Sequence, residues 1–155
     1  MLYLDASALV KRYSAEKGSK AVLSRFHRDE RIFTSRLSFA EVHSSLGRKF
    51  RARELKPQVL ARLREEFESD WLFSLSVLDL DVGTMSSIGH LVEQYDLKAG
   101  DAIHLSAALW LRDTIRLGRF RGRVGEAVEF GVADKQLARI AQECGFQVFS
   151  PEDEL

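Results

Sequence analysis

Short apolar runs alternate with longer segments of helical periodicity along almost the whole of this 155-residue chain. The apolar runs predict β-strands at residues 2–4, 32–34, 75–78, 130–132 and 146–149. The segments between them predict helices, and strands that alternate with helices form a parallel sheet covered on both faces. We therefore predict a three-layer α/β/α domain around a central parallel sheet of four to five strands.

The composition is that of one folded domain, which we expect to span residues 1–155. Hydrophobic residues make up 45% of the chain and only 2 residues are proline, as suits a single buried core. Cys144 is the only cysteine, so disulfides and thiolate metal sites are excluded. No run approaches the roughly 18 apolar residues that a membrane-spanning helix needs. We expect a soluble, cytoplasmic protein without membrane contact.

The net charge gives no general attraction for nucleic acid, because 23 basic and 23 acidic side chains cancel. RNA binding would therefore depend on local basic patches. The two candidate patches are Arg48, Lys49, Arg51, Arg53 and Lys56, and Arg112, Arg116, Arg119, Arg121 and Arg123. The second patch overlaps a glycine- and arginine-rich stretch, residues 113–129, which we interpret as a basic loop insertion. Each patch is equally consistent with a solvent-exposed surface.

Two acidic residues stand where predicted strands end. Asp5 follows the first strand directly, and Asp134 follows the fourth strand after one intervening residue. Because the carboxyl ends of parallel strands meet at one edge of the sheet, where such sheets bind ligands, these side chains should lie close together. Each acid could instead cap the helix that follows it. For Asp5, the nearby Ser7 could take over the capping and leave the carboxylate free.

Glu41 and Asp101 extend this set of acids, and each also has a local explanation. Ser38 and Glu41 match a capping box, in which the glutamate bonds back to a backbone N–H at the helix start. If the helix begins at Ser35 instead, Glu41 lies well inside it and cannot reach the cap. Asp101 stands near the start of a predicted helix, where the helix dipole stabilises an acid.

The four acids are more informative together than singly, because all are predicted at the same rim of the sheet. Clustered carboxylates repel one another, and a divalent cation relieves that repulsion. Oxygen ligands favour Mg²⁺ or Mn²⁺ over Zn²⁺. Such ions activate water and stabilise the attacking and leaving oxygens of a phosphodiester. A metal-dependent phosphodiesterase site is therefore predicted at Asp5, Glu41, Asp101 and Asp134.

Four segments follow one another in an order typical of a known family. They are LYLDASALVK from residue 2, Thr34-Ser35 followed by Glu41, YDLKAGDAIHLSAA from residue 95, and VADKQL from residue 132. In this order they resemble PIN-domain proteins, in particular the VapC toxins of prokaryotic toxin–antitoxin pairs.

The resemblance implies a Mg²⁺- or Mn²⁺-dependent endoribonuclease that leaves a 5′-phosphate and a 3′-hydroxyl. It also implies that Asp5, Glu41 and Asp101 coordinate the metal, that Asp134 is the fourth acid of the site, and that Ser7 orients Asp5. The partners that the family implies are an RNA substrate, a cognate VapB-like antitoxin and a second copy of the chain in a homodimer.

Two departures from the family pattern leave another function open. Val132 stands where the family commonly has Thr, Ser or Asn, and the stretch at 113–129 is longer than the usual connection. The alternative is a catalytically weak PIN-like module that binds RNA or protein. An aspartyl-phosphate phosphatase is disfavoured, because its second acid would stand at the position of Ser7.

Two further expectations concern the surroundings of the acids. His104, one turn beyond Asp101, could carry a proton but is more simply a packed structural residue. An antitoxin helix is expected to dock on apolar residues near the rim, namely Val22, Phe26, Leu46 and Phe50.

Overall fold

The computed structural model describes residues 1–28, 31–119 and 126–153. Its strands are β1 (Leu2–Leu4), β2 (Ile32–Ser35), β3 (Leu75–Leu78), β4 (Glu129–Gly131) and β5 (Gln147–Phe149). They form one parallel sheet in the order β3-β2-β1-β4-β5. Each strand lies within one residue of its predicted bounds, and the predicted three-layer α/β/α fold is confirmed.

The helices largely follow the predicted periodicity. They are α1 (Ala6–Leu9), α2 (Ser19–Phe26), α3 (Leu37–Arg51), α4 (Pro57–Phe73), α5 (Ile88–Gln94), α6 (Ala99–Arg116) and α7 (Lys135–Glu143). The helix predicted over residues 82–95 is shorter than expected, because the Asp81 carboxylate accepts the Thr84 N–H at 2.9 Å and holds a turn there. Within the described ranges, no helix is long and apolar enough to cross a membrane.

The hydrophobic core lies on both faces of the sheet, as the alternation of side chains along β1 requires. Tyr3 packs with residues of α5, α6 and α7 on one face, whereas Leu2 and Leu4 pack with residues of α1, α3 and α4 on the other. β1 is central, with β2 on one side and β4 on the other. The strand order therefore reverses beside β1, and the crevice at the carboxyl ends of these strands is where such sheets bind ligands.

The stretch at 113–129, predicted to be a basic loop insertion, overlaps regular elements at both of its ends. Residues 113–116 complete α6, and Glu129 begins β4. Arg121 and Arg123 of the second basic patch fall within 120–125, outside the described residues. Arg112 of the same patch has a packing role, since its guanidinium bonds to the Cys144 carbonyl at 2.6 Å and lies over the Phe146 ring.

Candidate active site at the carboxyl edge of the sheet

Asp5 directly follows β1 and is the N-cap of α1. It is only 4% exposed and accepts hydrogen bonds from the Ala8 N–H and the Ser7 hydroxyl, each at 2.8 Å. Of the two alternatives for the cap of α1, the structure shows the first, because Asp5 is the cap and Ser7 bonds to it. The Ser7 Oγ also accepts the Ala133 N–H at 2.9 Å, which ties Asp5 to the segment leading to Asp134.

Glu41 lies in the second turn of α3, and its Oε2 is 2.7 Å from Nε2 of His104. The capping-box alternative for Glu41 is wrong, since the Ser38 hydroxyl bonds to Thr34 Oγ1 at 2.6 Å instead of capping the helix. The second oxygen of Glu41, Oε1, faces the first turn of α6, where a Cβ on Gly100 would approach it to 3.0 Å. Glu41 is thus directed toward the helix that carries the next acid.

Asp101 and Asp134 form the other half of the site. Asp101 lies half-buried in the first turn of α6, and Asp134 is the exposed N-cap of α7. The Leu137 N–H donates to Oδ1 of Asp134 at 2.9 Å, so capping occupies one of its two oxygens. Burial and then the charge of Asp134 raise the pKa of Asp101. These two carboxylates therefore interact.

The acids form one electrostatic group at the predicted edge of the sheet. Burial raises the pKa of Asp5 to about 6 against the opposing effect of His104, and the charge of Glu41 adds a smaller increase. Glu41 also contributes to the raised pKa of Asp101. In the part of the chain that the structure describes, neither these three acids nor Asp134 is ion-paired with an arginine or lysine.

The donor chemistry at this edge suits a hard divalent cation, because every candidate ligand is a carboxylate oxygen. Burial and the charges of the neighbouring acids disfavour ionisation of Asp5 and Asp101, although His104 opposes both effects, and a cation would offset them further. Within residues 1–28, 31–119 and 126–153, however, no three His, Cys, Asp or Glu side chains are placed so that they could hold one metal ion. A cation would have to draw the carboxylates closer together.

His104, which the sequence did not assign to the site, contacts it, and Tyr3 contacts His104 in turn. His104 is 2% exposed and packed, as expected, yet its ring nitrogens bond to both Glu41 and the Tyr3 hydroxyl, the latter at 3.0 Å. The signal for His104 was its position one turn beyond Asp101 on α6. Nothing in the sequence indicated a role for Tyr3, because a strand residue beside an acid is expected to be an ordinary core residue.

Val132, which departs from the family pattern, is a core residue in this structure. Its side chain is fully buried in the core beneath α5, α6 and α7, where an apolar residue packs without an unpaired polar group. The hydroxyl that contacts Asp5 comes from Ser7.

A groove of about 240 Å³ leads from the acids along α1 and α3. Its lining consists of Ala6, Ser7, Val10, Glu41, Ser44, Ser45 and Arg48. The Arg48 guanidinium bonds to the Ser44 hydroxyl at 3.1 Å and has no carboxylate partner among the described residues. Lys49 of the same basic patch is instead paired with Glu16 at 3.1 Å. Hydroxyl and guanidinium donors of this kind contact phosphate groups.

The apolar docking surface predicted for an antitoxin is wrong in part. Val22 and Leu46 are fully buried and belong to the core, so a partner cannot contact them. Phe26 is half-buried with the Arg12 guanidinium over its ring. Only Phe50, at 39% exposure, is clearly on the surface.

Comparisons with known proteins bear on the family and the fold. The family model described as PIN domain matches residues 2–115, which include Asp5, Glu41 and Asp101 but not Asp134. Ribonuclease VapC45 and Ribonuclease VapC49, from two strains of Mycobacterium tuberculosis, are each 31% identical over 113 residues, or 73% of this chain and 78% of theirs. The crystal structure of FitAcB from Neisseria gonorrhoeae matches with a TM-score of 0.66 at 15% identity, covering 99% of this chain and 100% of that one. The last likeness concerns the fold alone.

Proposed function

This chain belongs to the PIN-domain family, and from that premise we propose that it is a metal-dependent endoribonuclease of the VapC type. The observation that carries the proposal is the group of interacting carboxylates at the carboxyl edge of the sheet, which have no arginine or lysine ion pair among the described residues. Two relatives at 31% identity are named ribonucleases.

The residues that would hold Mg²⁺ or Mn²⁺ are Asp5, Glu41, Asp101 and Asp134. The ion would supply an activated water and charge neutralisation for hydrolysis of the phosphodiester, leaving a 5′-phosphate and a 3′-hydroxyl. The protein's own groups orient these ligands: Ser7 and the Ala8 N–H bond to Asp5, and the Leu137 N–H bonds to Asp134. Ligands held in this way lose less freedom when the site assembles.

RNA would enter along the groove between α1 and α3. Arg48 lies seven residues beyond Glu41 on α3, which is two helical turns or about 10 Å along the axis. Its guanidinium is therefore placed to contact a phosphate next to the scissile one. The exposed Ser44 hydroxyl beside it offers a second donor to the same backbone.

The proposal is tested by RNA cleavage in Mn²⁺ and in EDTA with variants of matched chemistry. We expect Asp5→Asn and Asp101→Asn each to reduce the rate by about 100-fold or more, the usual effect of losing a group that stabilises transition-state charge. The control is Glu143→Gln, which removes an exposed acid paired with Arg139 on α7. Cleavage that survives EDTA or both Asp substitutions would contradict the site.

A catalytically weak module that binds RNA or protein is the second candidate. It is favoured by one observation, that no three acids are arranged to hold a metal within the described ranges. Under this alternative, RNA binds but is not cut at any Mg²⁺ or Mn²⁺ concentration, so the same assay separates the two functions.

We also propose a VapB-like antitoxin and a homodimer as partners. A groove of about 540 Å³ between α2 and α4 has the half-buried Leu23 and the exposed Lys20 and Arg62 in its lining, and these residues offer apolar and basic contacts to an antitoxin tail. Co-expression with the neighbouring gene of its operon should yield a stable complex in which cleavage is inhibited. Sedimentation of the isolated chain should show a dimer, and a monomer at all concentrations would exclude one.

A further inference from the structure

A chain of hydrogen bonds runs through the core and ends on Glu41. The Tyr3 hydroxyl, on β1, lies 3.0 Å from Nδ1 of His104. Nε2 of His104 then reaches Glu41 Oε2 at 2.7 Å. The chain therefore links β1 to α3 through α6.

We propose that Tyr3 and His104 are positioning residues that hold the Glu41 carboxylate in the orientation from which it binds the metal ion. This inference rests on the proposed function, because it concerns how one ligand of that site is oriented. It assigns a role to two residues whose side chains do not themselves touch the substrate.

The direction of the hydrogen bonds follows from the chemistry of the groups. An ionised glutamate can only accept, so Nε2 of His104 must carry the hydrogen that it shares with Glu41. In a neutral imidazole, Nδ1 is then an acceptor and the Tyr3 hydroxyl donates to it, whereas in a protonated ring Nδ1 donates to the Tyr3 oxygen. In both forms the contact with Tyr3 leaves the Nε2 hydrogen directed at Glu41.

Packing also holds the rings of Tyr3 and His104 in place. Tyr3 is fully buried and His104 is 2% exposed. The Tyr3 ring stacks on Phe130 with centroids 5.5 Å apart, and His104 meets its edge at 6.1 Å. Polar groups buried this deeply are costly unless they are paired. Two apolar side chains would fill this part of the core without that cost, so the pair is better explained by its contact with Glu41.

The two oxygens of the Glu41 carboxylate make different contacts, and this supports the same conclusion. Oε2 is occupied by His104, while Oε1 faces the first turn of α6, which carries Asp101. With one oxygen held, rotation of the carboxylate is restricted and the other oxygen stays directed toward the site. Residues that orient metal ligands in this way are typically worth about 10–100-fold in metal affinity or activity.

The test measures Mn²⁺ affinity without RNA, together with kcat, KM and thermal unfolding of the full chain. Tyr3→Phe removes only the hydroxyl, and His104→Leu removes both ring nitrogens. His104→Gln restores a donor near the position of Nε2. We expect the first two variants to weaken Mn²⁺ binding by about 10–100-fold and to lower kcat more than they raise KM, whereas His104→Gln recovers part of the affinity. Tyr95→Phe, which alters a tyrosine away from the acids, serves as the control.

A combined Tyr3→Phe and His104→Leu variant should bind Mn²⁺ no more weakly than His104→Leu alone, because the two residues act in one chain. Unchanged Mn²⁺ affinity in folded single variants would overturn the inference and leave the ribonuclease proposal standing. Weakened Mn²⁺ binding in a protein whose wild type cuts no RNA would support the positioning role and remove the ribonuclease. A wild-type chain that binds no Mn²⁺ would overturn the positioning role itself.

Discussion

At the scale of single residues, the burial of Asp5 makes stability depend on pH. Burial raises the pKa of this carboxyl to about 6, against about 3.9 in an unfolded chain. Between these two values the folded protein binds more protons than the unfolded chain, so the contribution of Asp5 to the free energy of unfolding falls as pH rises. The loss is complete above the folded pKa and amounts to roughly 2–3 kcal/mol.

We therefore expect Asp5→Asn to favour folding more at pH 7 than at pH 4, by about 2 kcal/mol. Urea denaturation in EDTA at both pH values measures this difference. Asp81→Asn is a control of opposite sign, because hydrogen bonds from Thr84 lower the pKa of Asp81, so its contribution to stability is lost as pH falls. If Asp5→Asn changed the free energy of unfolding equally at both pH values, burial would not raise the pKa of Asp5.

Arg48 is the residue on which the proposed RNA path can be tested. We expect Arg48→Gln to raise the KM for RNA while kcat is retained, because a phosphate contact is equally strong in the ground and transition states. The slope of log affinity against log salt should fall in magnitude by about 0.7, the value for one phosphate contact on a single strand. The control is Arg64→Gln, which alters an exposed arginine on α4. Equal effects of the two changes on KM and on the salt dependence would contradict a specific path along the groove.

At the scale of elements, the site depends on how closely α6 passes α3. Gly100 lies at this crossing, where a Cβ would stand 3.0 Å from Glu41 Oε1. Gly100→Ala should stabilise α6 by about 0.5–1 kcal/mol through helix propensity and yet weaken Mn²⁺ binding, because the glutamate must move aside. Gly89→Ala in α5 is the matched control, since a Cβ there meets nothing within 4 Å. Thermal unfolding and Mn²⁺ titration of both variants distinguish the effect of helix propensity from that of the contact with Glu41.

The pairing of β4 with β1 allows no side chain at Gly131. A Cβ at this position would overlap Leu4 Cδ2 and lie 3.1 Å from Phe149 Cδ1, both in the packed core. We expect Gly131→Ala to lower the free energy of unfolding by about 1–3 kcal/mol, as overpacking does. Gly47→Ala, on α3, meets only the flexible end of Arg51 at 3.4 Å and should be neutral or stabilising. Urea denaturation compares the two variants, and equal stabilities would mean that the core rearranges to accommodate a Cβ at Gly131.

At the scale of the whole molecule, the sequence predicts the sheet better than it predicts the contacts of the site. The strand ends and the approximate places of Asp5 and Asp134 follow from the short apolar runs, since such a run and an acid after it are local features. The roles of Ser7 and Glu41 do not, because the decision between capping a helix and bonding to a distant group is made by tertiary packing. His104 meets Glu41 across 63 positions of the chain, and no local pattern specifies that pairing.

The carboxylates at the edge of the sheet, none of which has an arginine or lysine ion pair among the described residues, make one further prediction about the whole fold. A cation that binds the folded chain but not the unfolded one stabilises it by RT ln(1 + [L]/Kd), about 2.7 kcal/mol at 100 times the Kd. Mn²⁺ at pH 7 should therefore raise the midpoint of thermal unfolding, and EDTA should reverse the shift. Asp101→Asn should abolish most of the shift, because it removes a proposed ligand whose pKa is raised by burial and by Asp134. Glu143→Gln should leave the shift intact, and a shift of equal size in both variants would mean that Mn²⁺ binds elsewhere on the protein.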